Sequence, residues 1–251
     1  MINSQRKKQI LEFLSGVDFR TVTDIAQKFN VSANTVRRDI NELAEENYVR
    51  KFYGGISLVR KFDSMYNHRA LSNLSEKEKI AEYAATLVKD NDLIFIDSGS
   101  TTSLLLDYIN RSYSLTIATN NLHVIEKATE VKNWDLIVIG SHLKHSSHSF
   151  INVQNWDYLN SLNFSKAFIA TTGLTIKSGA TNPDNAEALI KTNMMKRSSE
   201  SYLLVDSSKF DQTSLVTFAP INDFYMIITS GSVPQYYLDY FTENNIQFKI
   251  T

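Results

Sequence analysis

"TVTDIAQKFNVSANTVRRDINELAEENYV" occupies Thr21 to Val49. Thr21 followed by Asp24 resembles a capping box with Asp in place of Glu, and it predicts a short helix ending near Phe29. Asn30-Val31-Ser32 reads as a tight turn, and Ser32 can cap the helix that follows. That second helix is predicted from about Ala33 to about Glu46. It places Val36, Ile40 and Leu43 on an inward face at i, i+4 and i+7. A step of roughly 100° per residue then sends Asn34, Arg38 and Asn41 to the opposite face, flanked by Thr35, Arg37 and Glu42. Arg and Asn are the side chains that pair bidentately with guanine and adenine edges. A short helix, a three-residue turn and a helix with one polar face make a helix-turn-helix, whose second helix enters the major groove of DNA.

The flanks agree with this reading. Upstream, "SQRKKQILEFLS" (4–15) places Ile10, Leu11, Phe13 and Leu14 on an apolar stripe, and Gly16 is predicted to stop that helix. Downstream, "YVRKFYGGISLVR" predicts two strands, Tyr48 to Phe52 and Ile56 to Val59, joined through Gly54-Gly55. They form a two-stranded wing, with Arg50 and Lys51 able to touch phosphates. An ordinary helical bundle with solvated charges is the plainer alternative. Turn, caps, polar face and basic hairpin together favour the DNA-reading module. Residues 1–62 carry 11 Lys+Arg against 7 Asp+Glu, whereas the remainder carries 15 against 20. A basic end joined to an acidic body suits contact with a polyanion.

The chain has 251 residues and no cysteine, so disulfides, thiolate metal sites and cysteine nucleophiles are excluded. No apolar run approaches the roughly 18 residues that a membrane helix needs. "MINSQRKKQI" has no apolar core behind its charges and is not expected to be a secretory signal. A cytoplasmic protein is expected. Residues 1–59 are assigned to the DNA-binding domain. Residues 60–74, which show no clean period, are assigned to a linker, and residues 75–251 to a second domain.

In that second domain, helical patterns alternate with short apolar runs at 92–97, 114–119, 134–140, 166–171, 201–206, 224–230 and 246–250. Strands this apolar are buried on both faces. Their alternation with helices predicts an α/β domain with a mainly parallel sheet. Ligands in such sheets gather at the carboxyl ends of strands. Four of those ends carry polar clusters: Asp97-Ser98-Gly99-Ser100-Thr101-Thr102, Thr119-Asn120-Asn121, Thr171-Thr172-Gly173 with a loop through Gly179 to Asn185, and Asp206-Ser207-Ser208-Lys209. In the first, Gly99 is expected to permit an unusual backbone angle and close approach. Hydroxyls and free N–H groups at a helix start can hold an anion. Lys209 could cover a phosphate or a sugar hydroxyl. No Gly-Lys-Ser/Thr and no Gly-x-Gly-x-x-Gly is present, so neither a triphosphate P-loop nor a dinucleotide site is expected. His142, His145 and His148 lie in a predicted loop with no acid at a fixed spacing, so no metal site is assigned.

The stretch from Val22 to Leu58, including Val31-Ser32, Thr35-Val36-Arg37-Arg38-Asp39, Leu43 and Gly54-Gly55, resembles the N-terminal signature of the DeoR family of bacterial transcriptional regulators. It departs at Asn47, where the family has Gly, and Asn tolerates a left-handed C-cap. "FIDSGSTT", "TNN", "AFIATTGL", "GATNP" and "LLVDSSKF" resemble the family's sensor domain, and Arg69 with "EKEKIAEYAATLVKDND" resembles its connector and first sensor helix. The family's Gly-Gly after the third strand is Gly140-Ser141 here, and a later Gly is Asn152. The resemblance implies a sensor fold similar to ribose-5-phosphate isomerase and a phosphorylated sugar effector. It puts the phosphate on Ser98, Gly99, Ser100, Thr101 and Thr102, with Asp97, Asn120, Gly173 and Lys209 near the sugar.

An isomerase or transferase with an accessory nucleic-acid domain is the competing reading, with Asp97, Asp184, Glu187 and Asp206 as candidate bases. One fold hosts both roles, and the attached helix-turn-helix decides between them. The expectation is a repressor of sugar-utilisation genes without cofactor, metal or catalytic residues. It is expected to bind double-stranded operator DNA as a homo-oligomer, dimer or tetramer. Ser32, Asn34, Thr35, Arg37, Arg38, Asn41, Arg50 and Lys51 are expected to meet the DNA.

Overall fold

A computed structural model of the chain describes residues 5–14, 19–46, 48–52, 54–58 and 65–251, apart from the side chains of residues 50, 65, 67 and 68. Gly16, Asn47, Val59 and residues 60–64 of the predicted linker lie outside the described residues. Two compact units divide between Leu74 and Ser75.

The N-terminal unit runs α1 (Gln5–Leu14), β1 (Arg20–Thr21), α2 (Val22–Phe29), α3 (Ala33–Glu45), β2 (Val49–Phe52), β3 (Gly55–Leu58) and α4 (Met65–Leu71). The caps read from sequence form: Thr21 Oγ1 accepts from the Asp24 N–H, and Asp24 returns the bond to the Thr21 N–H. Asn30 closes α2 at φ 50°, and Ser32 Oγ caps α3 through the Thr35 N–H. Ile10, Leu11, Leu14, Ile25, Val36, Ile40, Leu43, Val49 and Ile56 make one dry core. Arg6 grips the buried Asp39 carboxylate through two bonds of 2.6 and 2.9 Å, tying α1 to α3.

Two expectations are corrected in this unit. The wing has three strands, because β1 pairs with β3 through Arg20↔Ile56 and Thr21↔Gly55. Gly55 therefore belongs to a strand; a Cβ there would stand 2.2 Å from the Arg20 carbonyl oxygen. Gly54 alone makes the turn, at φ 84°. The predicted unperiodic linker contains α4, whose Tyr66 is buried and whose Leu71 packs on the core. Two turns of helix are too short to reveal a period.

The second unit starts with α5 (Leu74–Ala85), β4 (Leu93–Ile96), a 3-10 helix (Thr102–Asp107), β5 (Leu115–Thr119), α6 (Leu122–Ala128) and β6 (Trp134–Val138). A hairpin of β7 (His142–Lys144) and β8 (Ser149–Ile151) follows, then α7 (Trp156–Ser161), β9 (Phe164–Ala170), β10 (Gly173–Thr175), β11 (Gly179–Asn182) and α8 (Asn185–Lys196). The rest is β12 (Ser198–Asp206), a 3-10 turn (Ser207–Lys209), β13 (Val216–Ala219), a second 3-10 turn (Ile221–Asp223), β14 (Met226–Ser230), α9 (Gln235–Glu243) and β15 (Phe248–Ile250). Seven strands form one parallel sheet in the order β15-β14-β12-β9-β4-β5-β6. Side chains alternate between two cores: Ile94 and Ile96 face one side and Phe95 the other, and Phe168 opposes Ala167 and Ile169 in the same way. The chain leaves β4 for β5 and β6, then returns to β4's other side with β9. This reversal is the switch point at which α/β sheets open a crevice at the carboxyl ends.

Three readings change here. The loop drawn from Gly173 to Asn185 holds β10 and β11, which join β13 in a small antiparallel sheet. The histidine-bearing segment is the β7–β8 hairpin rather than a loop. The helix after the Ser/Thr loop is a 3-10 helix of six residues, because Ser and Thr hydroxyls compete for the backbone carbonyls: Thr102 Oγ1 donates to the Asp97 and Gly99 carbonyls at 2.7 and 2.8 Å. Asn152 adopts φ 58°, so the asparagine reproduces the left-handed corner of the glycine it replaces, and Ser141 Oγ donates to its carbonyl at 2.8 Å.

Candidate functional site

The outer face of α3 is open. Asn34, Arg37, Arg38 and Asn41 are exposed, while Val36, Ile40 and Leu43 are buried beneath them. The polar groups hold one another lightly. Arg37 Nη1 donates to Asn34 Oδ1 at 3.1 Å, Arg38 Nε to Glu42 at 3.4 Å, and Lys51 of the wing to Asn41 Oδ1 at 2.8 Å. Ser32 and Thr35 share a hydroxyl bond of 2.9 Å at the helix start. Arg50 lies in β2 opposite Ser57. Lys7, from α1, reaches Glu42 at 2.5 Å and Glu46 at 3.8 Å, which draws two carboxylates toward α1. Helix and wing thus offer guanidinium, amide and ammonium groups whose partners are weak enough for nucleic acid to replace.

At the sheet's switch point the polar residues are buried. Ser98, Ser100, Thr101 and Thr102 are all under 10% exposed. Gly99 has no left-handed backbone angle, contrary to the expectation. Its need for glycine comes from β9: a Cβ at Gly99 would stand 2.3 Å from that of Ala170. Among the described residues, no hydrogen bond uses the backbone N–H of Ser98, Gly99, Ser100 or Thr101. The turn is fastened from outside by Asn121, whose Nδ2 donates to the Asp97 and Gly99 carbonyls, both at 3.2 Å. Its Oδ1 caps α6 through the His123 N–H.

Asp97 is fully buried. Its Oδ2 accepts from the Ala170 N–H at 3.1 Å and from the Lys191 ammonium, which also donates to the Ala170 carbonyl at 3.0 Å. Lys191 comes from α8, where it interrupts the buried row of Ala188, Ile190 and Met194. The other three carboxylates weighed as bases are likewise engaged. Glu187 accepts from Ser149 at 2.7 Å and Asn182 at 3.3 Å, and Asp206 accepts from the Ser208 N–H at 3.1 Å. Asp184 pairs with Lys144. Desolvation pushes the Asp184 carboxyl up, but Lys144 and the backbone N–H groups at the start of α8 outweigh it and hold the carboxyl below its ordinary range.

Asn120 Nδ2 donates to the Phe150 carbonyl at 3.3 Å, whereas its Oδ1 is buried without a partner. That orphan acceptor suits a hydroxyl donor. Gly173 lies in β10, where a Cβ would strike the Gln212 carbonyl at 2.3 Å. Lys209 folds over its own turn, 3.0 Å from Ser208 Oγ and 3.6 Å from Asp206. The first turn of α5 adds two residues that sequence reading passed over. Lys77, 1% exposed, donates to Ser100 Oγ at 3.5 Å. Glu76 accepts from the Ser207 N–H and hydroxyl at 2.8 and 2.9 Å. Only a charged residue in an otherwise apolar helical stripe could have announced Lys77 and Lys191.

The three histidines of the hairpin do not converge. His142 and His145 are exposed, and His148 meets His123 of α6, Nδ1 to Nε2, at 2.8 Å. Among the described residues no group of His, Asp or Glu is arranged to hold a metal.

Comparison with known proteins accounts for both units. The family described as "DeoR-like helix-turn-helix domain" matches residues 6–62, and "DeoR C terminal sensor domain" matches 72–231. The HTH-type transcriptional regulator IolR of Bacillus subtilis is 38% identical over 96% of both chains. The glycerol-3-phosphate regulon repressor of Escherichia coli is 25% identical over 100% of both chains. Among solved structures, ribose 5-phosphate isomerase A of Methanocaldococcus jannaschii aligns over 55% of each chain with 19% identity and a TM-score of 0.42. No helix among the described residues is long and apolar enough to cross a membrane. With both domains matched in order, the chain belongs to the DeoR family and is a DNA-binding transcriptional regulator rather than an enzyme.

Proposed function

We propose that this regulator represses genes of sugar utilisation and releases its operator when a phosphorylated sugar occupies the carboxyl ends of β4 and β9. The observation that carries the reading is the buried turn Ser98–Thr102 at the switch point, whose first four N–H groups have no acceptor among the described residues. Consecutive unengaged N–H groups form a concavity for an anion. Asn120, with its orphan acceptor, suits a sugar hydroxyl. Asp97 serves the site by holding Lys191 and the end of β9 rather than by facing the phosphate, and Lys209 closes over from the β12 end. Gly173 shapes the opposite wall. A six-residue 3-10 helix has a weak dipole, so the turn's N–H and hydroxyl groups support the anion, not the helix behind them. The relative named as a glycerol-3-phosphate regulon repressor is consistent with a small phosphorylated effector.

On the DNA side, Asn34, Thr35, Arg37, Arg38 and Asn41 read bases while Ser32, Arg50 and Lys51 meet phosphates. One such module reads few base pairs, so a homo-oligomer, dimer or tetramer, on repeated half-sites gains avidity. Its working place is the cytoplasm, with the DNA. A thermal-shift screen of phosphorylated sugars tests the reading, since a ligand of the folded state raises its apparent stability. The hit should dissociate the full chain from its operator, and it should fail to do so with Thr101→Asp or Lys209→Ala. An undiminished response in both variants would sink the phosphate assignment.

A further inference from the structure

Three buried or half-buried lysines surround the strand ends, and they differ in what they touch. Lys191 answers Asp97, and Lys209 lies over Ser208 and Asp206 of its own turn. Lys77 instead sends its ammonium to the anion turn itself, at Ser100 Oγ, from a position 1% exposed. A bond of 3.5 Å to a neutral hydroxyl is at the outer limit for a hydrogen bond and compensates little of an ammonium's burial. An anion cradled by the N–H groups of Ser98 to Thr101 would lie within reach of that charge. Charge-assisted bonds are about twice as strong as neutral ones.

Lys77 also occupies a particular place in the chain. Its neighbour Glu76 is bound by the Ser207 N–H and hydroxyl at the end of β12, and it packs against Gly231 beyond β14. A Cβ at Gly231 would stand 2.5 Å from Glu76 Oε1, so that position leaves room for the carboxylate and nothing more. The first turn of α5 is thereby fastened to the ends of β4, β12 and β14. The division between the two units falls at this same turn, after Leu74. Whatever draws the Lys77 ammonium acts on the segment through which the chain enters the sensor unit.

We infer that Lys77 is a direct cationic contact of the effector's phosphate and that the Glu76–Lys77 turn reports occupancy toward the DNA-binding unit. The inference rests on the anion reading of Ser98–Thr102 given above. It places the charge that recognises the ligand and the start of the connecting helix in one residue.

The test uses the full chain and inorganic phosphate as the probe. Lysine side-chain amines, labelled with 15N, are followed by NMR during a phosphate titration. Hydrogen exchange is measured over 75–80 and 98–103. The expected result is a shift of the Lys77 Nζ signal and protection of both segments. Lys77→Gln should bind phosphate at least about tenfold more weakly, the loss of one charge-assisted bond, and lose the protection at 75–80. If phosphate leaves both the wild-type Lys77 signal and the 98–103 amides unmoved, the anion reading itself fails, and this inference with it. If phosphate protects 98–103 while the Lys77 signal stays still, or if folded Lys77→Gln binds as tightly as wild type, the inference is overturned and the anion reading stands. Should Lys77→Gln not fold, the wild-type Nζ signal alone decides.

Discussion

The outer face of α3 and the carboxyl ends of the central sheet are both lined with polar residues, but they treat charge in opposite ways. On α3 the guanidinium groups stand in solvent, with Arg38 84% exposed, and their bonds run to neighbours on the same helix or the wing. Exposed pairs of this kind contribute little to stability and exchange readily for new partners. At the strand ends, Asp97 and Lys191 are sealed from water with side chains 1% and 3% exposed. A charge there depends on its partner for its place in the fold. One surface is prepared to meet a polyanion at no cost to folding; the other has folding and ligand recognition built from the same groups.

The sharpest break of this contrast is removal of one half of the buried pair. Lys191→Met leaves Asp97 charged and alone, and should destabilise the protein by about 3–5 kcal/mol, read by urea unfolding. Adding Asp97→Asn should recover much of that loss. A single variant as stable as wild type would mean the pair is not the sealed unit described. On α3, Arg38→Ala and Arg37→Ala should leave unfolding nearly unchanged but each weaken operator binding by about 1–3 kcal/mol, with relaxed specificity at one base position. Operator affinity equal to wild type in both would refute the docking face. Between these extremes, Thr21→Ala removes the cap that starts α2 and should cost about 1 kcal/mol in thermal unfolding.

The smallest effect is expected at His123. Burial lowers its pKa, opposed in part by Glu126 and aided by Lys127. The folded state therefore prefers the neutral ring. The stability this gives is complete above the ordinary imidazole value, about 6.5, and is lost as pH falls through the lower folded value. Acidification from pH 7.5 to 5 should loosen the His123–His148 contact and speed exchange of the Leu122 N–H, which donates to the His148 carbonyl at 3.0 Å. In His123→Gln that pH dependence should flatten.

How much could be read in advance follows the range of each interaction. The helix-turn-helix was legible because caps and the inward row Val36, Ile40, Leu43 lie within a few residues of one another. The seven sheet strands were legible because burial on both faces leaves unbroken apolar runs. The third wing strand was hidden: Arg20–Thr21 is two residues long and is defined only by its partner β3. Strands β10 and β11 were hidden among Gly, Thr and Asn, residues that ordinarily mark turns. The polar ends of the strands could be listed, but Lys191 meets Asp97 across 94 residues, and no local pattern encodes that meeting. For the same reason Asp97 resembles a ligand group in sequence and is a structural anchor in space.

The left-handed corners have a consequence for durability. The chain has only 8 glycines. Asparagine takes the corner at Asn30, Asn73, Asn91, Asn152 and Asn245, all at positive φ. In the unfolded chain asparagine roams less widely than glycine, so each choice lessens the disorder given up on folding. Asparagine is also among the thermolabile residues that heat-adapted proteins shed. Prolonged heating should therefore mark this protein chemically at its corners, where a side-chain amide lost to hydrolysis leaves a new negative charge. At Asn152 that charge would appear beside the Ser141 hydroxyl that fastens the corner.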